Sequence, residues 1–322
     1  MFDVIWPKYR LEVDAVVENL EKHADLLRTE ATVLDIQKAR EARVQATAHF
    51  ASTRTFQERQ KFFGLKSRLS PELYDEKLGW FRNRSVADCA RWLFRDNDFS
   101  EWLDPSKMTV PWFWLQGIPG AGKTYLSAAV IDHTRKQHRT LFAFVSHLNK
   151  ASLTALSVMQ SLIFQAADDD DDFQSLLVES KERELQGNIG HAAELLSTFL
   201  KTATGPTYVI VDGLDEMDVC ERQIFLQLLD KLSKECENLR LLISSRADDD
   251  ISRTLNEKIS PKSVRVNNRN YGSIQNYINH RSREWMARYQ FDSNTKSEMM
   301  RLLSPLSTNA RGKIQPSVLR TT

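Results

Sequence analysis

The sequence predicts an α/β protein, a mainly parallel sheet between helices, with an all-α arm ahead of it. Three observations carry that expectation. Gly117-Ile118-Pro119-Gly120-Ala121-Gly122-Lys123-Thr124 fits G-x-x-x-x-G-K-[ST] at every fixed position. A second apolar run, Tyr208-Val209-Ile210-Val211, ends in Asp212-Gly213-Leu214-Asp215-Glu216. Between and beyond them, strand-like apolar runs alternate with amphipathic helical stretches.

The flanks of the glycine loop are those its chemistry requires. Val110 to Gln116 is a short apolar and aromatic run that reads as a buried strand, and Tyr125 to Gln137 has the spacing of a helix packed on a sheet. Strand, loop and helix in that order make a phosphate-binding P-loop. Glycines at 117, 120 and 122 let backbone N–H groups approach phosphate oxygens with no Cβ in the way. The helix N-terminus adds unpaired N–H groups and the positive end of its dipole. Lys123 is placed to reach the β and γ phosphates, and Thr124 offers a hydroxyl to the magnesium that accompanies them.

The acidic box supplies the complementary group. A carboxylate at the carboxyl end of a parallel strand beside a P-loop holds magnesium or its water, which is the expected role of Asp212. Asp215 or Glu216 is the candidate for orienting the attacking water. Leu239 to Arg246 repeats the design, a buried strand with polar residues at its end, and makes Arg246 a candidate sensor of the γ-phosphate. The cofactors expected are thus ATP or GTP, with magnesium.

Around this core the chain divides into a helical region at 1–63, a connector at 64–84, the nucleotide-binding domain at 85–312 and an irregular tail at 313–322. From Tyr9 to about Phe63 apolar residues recur at helical spacing, and Gly64 is read as the stop. Ser85 to Trp102 carries aromatics in two short turns broken by Asp96-Asn97-Asp98. They suit a core, although Trp92 is also placed to touch a nucleotide base. Strands are expected at 140–146 and 263–266, helices at 153–167, 173–185, 191–202 and 271–289. In the last, Ile274, Tyr277, Ile278, Trp285 and Met286 mark the buried side. The acidic run from Asp168 to Asp172 reads as a solvated loop.

Composition argues against several classes of function. The 322 residues are 41% apolar and 27% charged, as in an ordinary globular protein. A net charge of +1 gives no electrostatic case for a nucleic-acid or membrane-surface partner. No apolar run is long enough to span a bilayer, and the first ten residues lack the features of a secretory signal. Cys89, Cys220 and Cys236 are too sparse for a disulfide or zinc framework and are expected to be buried, reduced thiols. A cytoplasmic protein is expected.

GIPGAGKT, YVIVDGLDE and LRLLISSR, in that order, resemble the NACHT class of signal-transduction NTPases, in particular the nephrocystin-like modules of fungal immune-receptor-type proteins. CARWLFRDNDFSEWLD and SVMQSLIFQ are similar to the linking segments of this family, and EATVLDIQKAREAR to the helical domain that often precedes it. The resemblance implies a switch between nucleotide states. It assigns Lys123 and Thr124 to phosphate and magnesium, Asp212 to magnesium, Asp215 and Glu216 to the hydrolytic water, and Arg246 to the phosphate sensor. Turnover should be slow, because nothing obvious supplies an arginine finger in cis. Family members usually continue into a winged helix and repeats, whereas this sequence stops at Thr322, so a C-terminal truncation is expected. The alternative is a non-catalytic interaction protein, whose helical arm at 1–63 pairs with protein partners, including copies of itself.

Overall fold

A computed structural model describes residues 16–23, 38, 57–85, 89–107, 110–149, 153–168, 170–267, 269–289, 291–299 and 301. The chain separates into two compact units, 1–61 and 62–322. In the first, residues 16–23 are helical, with Val16, Val17 and Leu20 exposed. The rest of the predicted arm up to residue 56, apart from Lys38, and the tail at 313–322 lie outside the described residues.

The second unit is built on five strands: β1 (Trp112–Gln116), β2 (Arg139–Phe144), β3 (Thr207–Asp212), β4 (Leu239–Ser245) and β5 (Lys262–Arg265). They pair in the order β2-β3-β4-β1-β5, every pairing parallel. β1, β3 and β4 are buried along their whole length, which is why they read as continuous apolar runs rather than alternating ones. Helices Lys123–Thr134, Ala155–Asp168, Ile189–Thr202 and Val219–Glu235 form crossovers between consecutive strands. This is an α/β P-loop NTPase fold.

Strand order has a consequence for the site. β4 lies between β1 and β3, so the glycine loop after β1 and the acidic box after β3 flank the end of β4. Ser244, Ser245 and Arg246 are thereby brought between them.

The aromatic segment before β1 is core. Phe99 and Trp102 pack on Phe113, and the Trp102 indole N–H donates to the Pro111 carbonyl at 3.0 Å. The Asp96-Asn97-Asp98 break is a helix start: Asp96 caps the Asn97–Leu103 helix by accepting from the Phe99 N–H.

Several expectations are corrected. Gly64 does not stop a helix, because residues 57–69 are helical through it, with Phe62 and Leu65 buried on its inner side. Burial there outweighs the glycine's propensity cost of about 1 kcal/mol. The acidic run is not a plain loop: Asp168 ends one helix and pairs with Lys66, while Asp170 caps the next by accepting from the Phe173 N–H at 3.0 Å. Residues 171–202 hold three helices rather than two. Trp285 is exposed and stacks near Tyr289 and Phe291, whereas Ile274 is buried. None of the three cysteines is in a disulfide, but only Cys236 is buried, and Cys220 is exposed.

The stretch read as a connector contains a helix, Asp75–Arg84, laid along the helix that follows the glycine loop. Arg82 Nε donates to Asp132 at 3.1 Å and Arg135 Nη1 to Asp75 at 2.9 Å, while the Phe81 ring meets Tyr125 edge-on at 5.3 Å.

Candidate nucleotide site

Gly120 and Gly122 have φ of 77° and 92°, a region that glycine enters without strain. Lys123 Nζ donates to the carbonyls of Gly117 at 2.8 Å and Ile118 at 3.3 Å, folding back over the loop. Burial lowers the Lys123 pKa, Asp212 and Asp215 pull it back up, and Arg246 opposes them. Pro119 and Ala121 complete the loop, and Ala121 is fully buried.

Residues the sequence reading missed hold this loop in place. The Ile118 N–H donates to Asn267 Oδ1 at 3.0 Å, and Asn270 Nδ2 donates to the Ala121 carbonyl at 2.5 Å. The Gly117 N–H donates to the Ser245 carbonyl at 3.2 Å. Nothing in Val266-Asn267-Asn268-Arg269-Asn270 announces this role before β5 is known to lie beside β1. A Cβ on Gly122 would stand 2.4 Å from Asn270 Nδ2, so this approach needs glycine.

On the other side of β4, Asp212 is 4% exposed and accepts from Ser127 Oγ at 2.9 Å. Burial pushes its carboxyl above the ordinary range, and the hydroxyls of Ser244, Thr124 and Ser127 with the Lys123 charge pull it back. A buried carboxylate with hydroxyls as its neighbours is incompletely compensated and favours a cation. The donor set of Asp212 and Thr124 therefore fits magnesium. Gly213, at φ 80°, lets the chain leave β3 where a Cβ would meet the Val145 carbonyl at 2.5 Å.

Asp215 and Glu216 do not sit as two equivalent acids. Asp215 Oδ1 accepts the Arg246 backbone N–H at 3.0 Å and Oδ2 accepts Arg246 Nε at 2.6 Å. The carboxylate thus fixes the arginine predicted to sense phosphate, whose side chain remains 43% exposed. Buried Arg222, another residue missed, donates to the Asp215 carbonyl at 3.2 Å and pairs with Asp250. Glu216 Oε2 accepts from the His147 backbone N–H at 2.9 Å and lies 2.6 Å from His147 Nδ1. From the Asp75–Arg84 helix, half-buried Lys77 donates to the Phe144 carbonyl at 3.2 Å; Phe144 is the register partner of Asp212. Burial lowers the Lys77 pKa, and the charges of Asp212 and Glu216 oppose that shift.

Where the loop helix begins, a cleft opens between Ala90, Gly122, Tyr125, Leu126, Asn270 and Tyr277. Trp92 does not line it; Cys89 and Ala90, just before it, do.

Residues 88–246 match the family described as nephrocystin 3, N-terminal. Over this segment the chain is similar to that family. The nephrocystin-like segment contains the glycine loop, the acidic box and Arg246. It agrees with the resemblance drawn from GIPGAGKT and YVIVDGLDE. The vegetative incompatibility protein HET-E-1 of Podospora anserina is 25% identical over 188 residues, 53% of this chain and 13% of that protein. The match thus spans only a small part of its curated relative. Solved structures similar to it include the Aeropyrum pernix ORC1 protein in complex with DNA, at 13% identity and a TM-score of 0.43, covering 71% of this chain and 62% of that one. Cdc6p from Pyrobaculum aerophilum matches at 15% identity and a TM-score of 0.39, covering 66% and 52%. Among the described residues no helix is long and apolar enough to cross a membrane.

Proposed function

We propose that this chain is a nucleotide-dependent signalling switch of the cytoplasm, which binds ATP or GTP with magnesium and hydrolyses it slowly. The observation that carries this reading is the buried Asp212 carboxylate beside the Ser127 and Thr124 hydroxyls, across β4 from a glycine loop braced by two asparagines. Backbone N–H groups from Gly120 to Thr124 cradle the phosphates, and Lys123 turns from the loop carbonyls to phosphate oxygens. Thr124 and Asp212 would hold magnesium, which would neutralise charge on the phosphates.

Asp215 and Glu216 take different roles. With both Asp215 oxygens committed to Arg246, Asp215 is a positioning residue and Arg246 the phosphate sensor. Glu216, whose bonds to His147 fall on a single oxygen, is the better group to orient water. The likeness to a vegetative incompatibility protein supports a signalling role.

Binding of ATP, GTP and their diphosphates, measured by calorimetry with and without magnesium, tests the reading. Magnesium-dependent affinity for a triphosphate, lost in Lys123→Ala, is expected. A folded chain that binds none of the four overturns it.

A second reading, protein association through the N-terminal region, draws on exposed Val16, Val17 and Leu20, which share one helical face. Light scattering of the wild type and a Val16→Asp/Leu20→Asp variant tests it; equal masses at the monomer value contradict self-association.

A further inference from the structure

Asn270 stands at the N-cap position of the Tyr271–Arg288 helix, yet its side chain makes no capping bond. Asparagine is favoured there because Oδ1 ordinarily accepts a first-turn N–H. Here the amide is turned away from its own helix, and Nδ2 donates to the Ala121 carbonyl at 2.5 Å. A carbonyl can only accept, so that bond settles which end of the amide is which. Oδ1 is left buried without a hydrogen-bond partner, on a residue 4% exposed. A buried acceptor with an empty valence is costly, and here a stabilising helix cap is forgone as well.

The location says what the acceptor is for. Asn270 forms part of the wall of the cleft at the start of the loop helix, next to Gly122. Beside Arg84 and Ser85, the residues Ala90, Leu126, Tyr125 and Tyr277 give much of that wall an apolar and aromatic character, which suits a flat heteroaromatic ring. Ser273, also in the wall, is engaged: its hydroxyl donates to the Cys89 carbonyl at 2.5 Å.

We infer that Asn270 Oδ1 is the base-reading acceptor of this site and takes a hydrogen bond from the exocyclic amino group of adenine. The inference rests on the nucleotide-binding reading above and narrows it to ATP. Guanine presents a carbonyl oxygen where adenine presents its amino group. Two acceptors would then face each other, and the amide cannot swing its nitrogen round without releasing Ala121. The same side chain thus joins the base to the phosphate loop: one end reads the ring and the other holds the peptide next to Gly122. A ribose hydroxyl is the other donor adenosine offers, and the aromatic wall favours the ring. Guanine's own donors, N1–H and the 2-amino group, sit at other positions of the ring, so tighter binding of GTP than of ATP also overturns the inference.

The test is a set of dissociation constants with magnesium for ATP, GTP, 2′-deoxyATP and purine riboside triphosphate, which lacks only the 6-amino group. For the wild-type chain, ATP is expected to bind about tenfold more tightly than GTP and purine riboside triphosphate, the worth of one buried hydrogen bond. 2′-DeoxyATP should bind as ATP does. In Asn270→Ala the ratio of ATP to purine riboside triphosphate falls to about one. A side chain that only clamps the loop would weaken every nucleotide alike and leave that ratio unchanged, which overturns the inference. Equal binding of ATP and purine riboside triphosphate by the wild type overturns it without any variant. A penalty for 2′-deoxyATP alone does so too, and assigns the acceptor to ribose. Failure of all four to bind removes the nucleotide reading itself.

Discussion

On the β1 side of β4, backbone atoms are held by borrowed side chains: the Ile118 N–H by Asn267 and the Ala121 carbonyl by Asn270. On the β3 side the traffic runs the other way, for Asp215 and Glu216 reach out to the backbone N–H groups of Arg246 and His147. The difference follows from composition. A loop rich in glycine has few side chains with which to fix itself and depends on contacts supplied from far along the chain. The acidic box has carboxylates to spare and uses two of its three to fix neighbours. Only Asp212, buried among hydroxyls, is left for a cation.

The comparison can be broken at several points. Lys123→Ala removes the one charge that the loop itself carries, and triphosphate affinity is expected to fall about 10–100-fold, read by calorimetry. Gly122→Ala attacks the bracing: a positive φ and the encroachment on Asn270 should cost about 1–3 kcal/mol in denaturant unfolding, with nucleotide binding weakened in parallel. Unchanged unfolding would show that the loop does not depend on its asparagine brace.

Asp212→Asn sharpens the contrast on the acidic side. Magnesium dependence of binding should vanish while the ligand-free chain becomes more stable at neutral pH, each kcal/mol relieved raising Tm by about 2–4 °C. The sign follows from linkage. Burial holds the folded-state pKa above its ordinary value, so the folded chain binds that proton more tightly than the unfolded one. The contribution of Asp212 to stability therefore declines as pH rises from the ordinary carboxylate value through the raised one, and the asparagine variant removes that slope. Urea melts across the acid range would show it.

Asp215→Ala and Arg246→Ala should each cost about 1 kcal/mol of stability or more, and the double variant less than their sum, with a coupling of about 0.5–3 kcal/mol. Additive losses would mean that Asp215 does not position the arginine. Glu216→Gln, on a partly exposed contact with His147, should change stability by less than about 1 kcal/mol while slowing single-turnover hydrolysis. Unchanged turnover would take the water-orienting role away from Glu216.

Much of this was legible before any coordinates. Phosphate binding by backbone imposes a local rule, so Gly120, Gly122, Lys123 and Thr124 announce themselves by spacing, and strands buried on both faces announce themselves as apolar runs. The order of the elements around the glycine loop, the acid at the end of β3 and the strand before Arg246 all followed from such local rules. Tertiary structure decided the rest, because it depends on which distant segments become neighbours. Parallel pairing placed β4 between β1 and β3, and β5 beside β1, so that Asn267 and Asn270 came to brace a loop about 150 residues earlier in the chain, as parallel crossovers allow. Packing carried the helix through Gly64 and brought Lys77 of the supposed connector to the end of β2. The division of labour within the acidic box was settled the same way: whether a carboxylate serves a cation, an arginine or a backbone N–H depends on what the fold sets beside it, and spacing along one segment carries no record of that.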